Sequence, residues 1–168
     1  MSPSLGKQTL YTRRIVYGTL LLIMMSAIFF FSSMSGESSG SLSAKITEAV
    51  ISIVFPGYSE LSSEQQTGTF NLLHHIIRKL AHFSEYAVLG ALIVLFLNTF
   101  SLKHVFLISL LCAVLYAVTD EWHQSFVSDR GPAISDIILD SAGAALGIVI
   151  AIVCITFGKN RQALSAEH

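Results

Sequence analysis

Residues 78–97 read RKLAHFSEYAVLGALIVLFL: two adjacent cations, a spaced row of polar groups, then an unbroken apolar run. Arg78, Lys79, His82, Glu85 and Tyr86 stand at steps of three and four, which stacks them along one face of a helix. The stretch from Leu80 to Leu97 approaches the roughly 20 residues that a helix needs to cross hydrocarbon. Ionisable groups are costly at that depth, so a row of them marks a functional site in preference to a lipid-facing surface.

Three further stretches have the same apolar character, and together they predict spans over residues 15–34, 80–97, 105–121 and 137–157. Only 12% of the chain is charged, where a soluble domain carries about a quarter. The predicted fold is therefore all-α: a polytopic membrane bundle of about four transmembrane helices. Its organisation is a cytoplasmic N-terminus over 1–14, a transmembrane domain over 15–157 and a cytoplasmic tail over 158–168. Lys7, Arg13 and Arg14 ahead of the first run resemble the start of a secretory signal. That run outlasts a signal's apolar region and no small-x-small cleavage site follows, so it reads as an uncleaved anchor. A net charge of −1 offers no basic field for nucleic acid. Cys112 and Cys154 read as small buried hydrophobes and not as a disulfide or metal pair.

Lys7, Arg13, Arg14, Lys103, Lys159 and Arg161 fall on one side of the four spans; Lys45, Arg78, Lys79 and Arg130 fall on the other. The last three belong to the polar row, and without them the positive-inside rule predicts both termini inside. The first loop, 35–77, is then external. Its start, Ser35 to Ser41, is flexible in composition. Ile46, Ala49, Val50, Ile53 and Val54 follow at helical spacing and predict a short amphipathic helix over 45–55, ended by Pro56-Gly57. It either lies on the outer interface or caps the bundle.

The other charged groups collect at the same end. Tyr116, Asp120 and Gln124 form a row closing the third span, with Glu121 and His123 beside it; Asp136 and Asp140 stand four apart at the start of the fourth. Gly143 and Gly147, with Gly90, supply small residues for close helix approach. Three cations, Arg78, Lys79 and Arg130, then face five carboxylates, Glu85, Asp120, Glu121, Asp136 and Asp140. Protonated carboxyls, a charged His82 or a bound divalent cation would each relieve the excess, with His82 and His123 as extra ligands in the last case. Each group also has a plainer reading. Arg78 and Lys79 suit snorkelling anchors, Asp136 a helix cap, Tyr86, Tyr116 and Trp122 an aromatic belt, and His74, His75 and His104 the interface.

With Arg78-Lys79-Leu80-Ala81-His82-Phe83, Tyr86, and Asp120-Glu121-Trp122-His123-Gln124-Ser125-Phe126 in place, the chain resembles the VanZ-like family of bacterial integral membrane proteins. Arg130, Asp136, Asp140, Gly143 and Gly147 follow in the family's order, and the serines over 32–43 are similar too. Ser128-Asp129 departs from the Pro-Gly that relatives often carry before the arginine. The resemblance implies a multi-pass protein of the cell membrane with a role in teicoplanin resistance, and it brings no settled reaction.

Two functions follow. In one, Arg78, Lys79, Tyr86, Gln124, Arg130, Asp136 and Asp140 bind membrane lipids or lipid-linked envelope precursors at the outer leaflet. In the other, an intramembrane hydrolase or transferase works on a lipid phosphate or pyrophosphate, with His82, Glu85, Asp120 and Glu121 as acid, base or orienting groups. A flippase needs polar groups at both ends of the bundle, and these lie at one. A purely structural ion-pair network is the remaining alternative.

Overall fold

A computed structural model describes residues 5–34, 36–128 and 133–166, and every long element in it is helical. The elements are α1 (Leu5–Ser32), α2 (Gly36–Val54), a 3-10 turn (Tyr58–Glu60), α3 (Ser63–Asn98), α4 (Val105–Gln124) and α5 (Ile134–Ala166). Among the described residues, α1, α3, α4 and α5 are long and apolar enough to cross a membrane. The all-α, four-span architecture is thus observed.

Helix boundaries differ from the hydropathy reading because a helix does not stop where its apolar run does. The predicted 45–55 helix is α2, and it begins at Gly36, inside the Gly/Ser stretch that composition marks as flexible. The first span extends back to Leu5 and the last on to Ala166. The largest extension is in α3, which starts at Ser63 instead of near Leu80. Ser62 sets that start: its hydroxyl accepts from the Gln65 amide while the Gln65 side chain accepts from the Ser62 amide, a reciprocal cap. At about 1.5 Å per residue, the 36 residues of α3 run about 54 Å, well beyond a hydrocarbon core of about 30 Å.

Packing explains the direction of each helix. Arg14 of α1 reaches the far end of α3, where it donates to the Thr99 carbonyl at 3.1 Å and lies 4.3 Å over the Phe100 ring. The other end of α1 meets the end of α4, through Tyr116 Oη on the Met25 carbonyl at 2.7 Å and the His123 ring 4.4 Å from Phe29. So α1 and α4 run together, and α3 runs against them. The closest packing is between α3 and α5, which are parallel. A Cβ on Gly143 would collide with the Phe83 carbonyl oxygen, one on Gly147 with that of Ala87, and one on Gly90 with that of Ala144. The small residues therefore act as the sequence suggests, letting backbones touch. Cys112 and Cys154 are free and exposed on helix surfaces instead of buried.

The Arg14 contacts give a direct test of the end opposite the polar cluster. Arg14→Ala removes a cation that satisfies an α3 C-terminal carbonyl and stacks on an aromatic ring. Thermal unfolding in detergent should show a loss of about 1–2 kcal/mol.

Outside the four spans, α2 packs along the protruding part of α3. Ser43, Thr47 and Ile51, one turn apart, form its buried face. Ser43 Oγ meets His74 Nε2 at 2.7 Å, and Tyr58 Oη donates to the Gln66 carbonyl at 2.8 Å. The apolar row that predicted this helix points the other way: Ile46, Ile53 and Val54 are 48%, 79% and 59% exposed. The two alternatives for α2 are therefore compatible, since one face covers α3 and the other is left uncovered.

Candidate functional site

The polar rows of α3, α4 and α5 do meet, and they form two layers. The outer layer lines a cavity of about 170 Å³ bounded by His75, Arg78, Lys79, His82, Gln124 and Asp136. Lys79 and Asp136 form an ion pair across it, each 30% exposed, and Ser135 Oγ donates to the same Asp136 oxygen at 3.1 Å. Asp136 lies in the first turn of α5, where the helix dipole also favours a carboxylate. Pairing, not capping, is its main role here. A double-mutant cycle of Lys79→Ala with Asp136→Asn should give a coupling of about 1 kcal/mol, small because both groups are partly solvated.

Arg78 and His82 also line a second cavity, about 220 Å³, on the α1–α2 side with Phe31, Leu42, Ser43, Ile46 and Glu85 among its walls. These two α3 residues form the partition between the cavities. Arg78 makes no hydrogen bond or ion pair with another described residue, although it is half-buried. A guanidinium carries five donors, and no other described residue takes up any of these.

The inner layer is closed. Asp120 is 4% exposed, Glu121 4%, Asp140 2% and Tyr86 0%. Gln124 Nε2 donates to Asp120 Oδ2 at 3.0 Å, and the Ala133 amide donates to Glu121 Oε2 at 2.9 Å. Asp140 lies within electrostatic reach of Asp120, Glu121, Asp136 and Glu85, so the acidic groups form one cluster. The Tyr86 hydroxyl, Asp120 Oδ1 and Asp140 Oδ1 have no hydrogen-bond partner among the described residues. Neither polar cavity is lined by Tyr86, Asp120, Glu121 or Asp140. Tyr86 is an interior residue, 6.3 Å from the Tyr116 ring, and not part of an aromatic belt; Trp122 is 68% exposed and suits one.

Among the described residues no three His, Cys, Asp or Glu side chains converge to hold a metal ion, so this donor set gives a divalent cation no cage. Arg130, with Gly131 and Pro132 after it, lies outside the described residues. His75 is the lining residue that sequence reading set aside. Its signal was present, because positions 75, 78, 79 and 82 share one helix face. His123 packs against Phe29 with the rings tilted at 39° and lines neither cavity.

The order of these groups along the chain now has a parallel. The VanZ/LLP1 family matches residues 17–155, from within α1 to within α5. This chain belongs to the VanZ/LLP1 family. As a member with four apolar helices it is a multi-pass membrane protein. Comparison with curated proteins and with solved structures finds no match. The matched span contains every residue of both polar layers, so the site described here lies within the VanZ/LLP1 region.

Proposed function

We propose that this VanZ-like protein binds a membrane-attached anion at the outer leaflet of the bacterial cell membrane, the ligand being a lipid headgroup, a lipid-linked wall precursor or a lipoglycopeptide. The observation that carries this is Arg78: a half-buried guanidinium with no partner among the described residues, at the opening of an apolar run, shared by two cavities. A cation placed there is expensive unless it meets an anion, and a phosphate or carboxylate accepts its fork of donors bidentately. Lys79 is neutralised by Asp136 and contributes shape and hydrogen bonds more than net charge. Gln124, held by Asp120, turns toward the same space.

Orientation is argued from charge. With both termini inside, Lys7, Arg13, Arg14, Lys103, Lys159 and Arg161 face the cytoplasm and the cavities open outward. The uncovered apolar row of α2 then rests on the outer surface beside them. A role in teicoplanin resistance follows from this reading, since a lipid-tailed glycopeptide and the precursors that it targets meet in that leaflet.

The test is native mass spectrometry of protein extracted from its own membrane. A phospholipid or polyprenyl phosphate should co-purify with the wild type and be lost from Arg78→Ala. An anionic lipid retained equally by Arg78→Ala overturns the proposal.

The enzymatic reading keeps one supporting observation: His82 and Glu85 line the same cavity as Arg78, so an acid–base pair and an anion-stabilising group share one space. It requires that Glu85→Gln and His82→Ala abolish turnover of a lipid phosphate while binding persists.

A further inference from the structure

Lipid-facing surface next to the polar cavity is not smooth. A groove of about 350 Å³ runs beside α3 and α5, walled by Ile76, Leu80, Phe83 and Leu139, and its remaining walls are His75 and Lys79. Those two residues also line the polar cavity, so the apolar groove and the polar cavity are continuous across them. Phe83 marks the groove's inner limit, because its backbone carbonyl is where Gly143 brings α5 into contact with α3. Beyond that contact Gly147 against Ala87 and Gly90 against Ala144 continue the backbone approach and close the space between the helices. Leu80 is 57% exposed, so no other part of the described chain covers this surface.

We infer that the ligand enters sideways from the bilayer between α3 and α5, as a lipid phosphate whose chain lies in the Ile76–Leu80–Phe83–Leu139 groove and whose phosphate reaches Arg78 past Lys79. This deepens the headgroup reading and rests on it. Size and charge together select the occupant. A 170 Å³ cavity holds a phosphate with a short linker, about the room of six waters, and not a sugar–peptide assembly. Its lining includes two formal cations, Arg78 and Lys79, and one carboxylate, Asp136, so a phosphate monoester is favoured and a choline-bearing headgroup is not. An apolar groove ending at a cationic pocket is the shape of such an amphiphile. A soluble anion would use the pocket and leave the groove without purpose.

Photo-crosslinking of the full chain in phosphatidylcholine nanodiscs tests the path. Phosphatidic acid and phosphatidylcholine, each with a diazirine in its acyl chain, are compared at equal concentration. Phosphatidic acid should label groove residues about tenfold more than phosphatidylcholine, the effect of a charge-assisted contact. Arg78→Ala should reduce its labelling to the phosphatidylcholine level. Leu139→Trp, which fills the groove from a partly exposed position, should drive the label out of it. Phosphatidic acid that depends on Arg78 but labels residues outside the groove overturns the lateral path and leaves the headgroup reading standing. Equal labelling by both lipids, unaffected by Arg78→Ala, overturns the two together. The wild-type comparison between lipids needs no variant, so a misfolded substitution cannot hide the result.

Discussion

Gly147→Leu is expected to separate α3 from α5 and to leave little folded protein in detergent. The backbone carbonyl of Ala87 occupies the place where a Cβ would be, and a carbonyl fixed in a helix cannot turn aside. Relief requires the two helices to move apart along the whole contact, including Gly143 on Phe83 and Gly90 on Ala144. In a bilayer no hydrophobic effect drives helices together, so close packing is most of what holds this pair. The loss should exceed about 3 kcal/mol, beyond ordinary core overpacking. Gly158→Ala is the matched control on the same helix. Nothing lies near its Cβ position, and alanine there should stabilise by about 0.5–1 kcal/mol through the smaller backbone entropy lost on folding. Thermal unfolding and gel filtration of the two variants check both results.

Glu121 should separate a structural role from a chemical one. Its carboxylate accepts from the Ala133 amide, immediately before α5, and so fixes where that helix begins. Glu121→Ala removes the acceptor for a partly buried amide and should cost about 2–3 kcal/mol, by the magnitude of hydrogen bonds to charged groups. Glu121→Gln keeps a carbonyl oxygen in the same place and should cost about 1 kcal/mol or less. If Glu121 were an acid or base, glutamine would be as inactive as alanine. We expect glutamine to retain anionic-lipid binding and alanine to lose it with stability, measured by native mass spectrometry and thermal unfolding on the same samples. A glutamine variant that folds normally but no longer functions would return Glu121 to catalysis.

The sequence made the four spans legible because charge is so sparse that each apolar run stands out. It also showed which groups share one end, since alternating direction brings the rows of α3, α4 and α5 together. Hydropathy could not show how far each helix continues in water. The Ser62–Gln65 cap was readable as the start of α3, but the weakly apolar segment between it and Arg78 drew attention to the later boundary. Burial depth was not legible either. Periodicity puts Tyr86 on the face of Arg78 and His82, yet only packing against α4 and α5 determines that Tyr86 is fully enclosed while Arg78 and His82 remain at the cavity. His75 was passed over because the charge pattern begins at Arg78, although helical spacing includes it.

With proline only at positions 3, 56 and 132, α3 is an uninterrupted rod. Its tightest grip on a neighbour, at Ala87, lies about 36 Å from the Ser63 end and about 17 Å from the Asn98 end at 1.5 Å per residue. The longer arm carries α2, held through Ser43 and His74, and the shorter ends where Arg14 donates to the Thr99 carbonyl, so the two tips of the rod stand at unequal reach from their shared anchorage on α5.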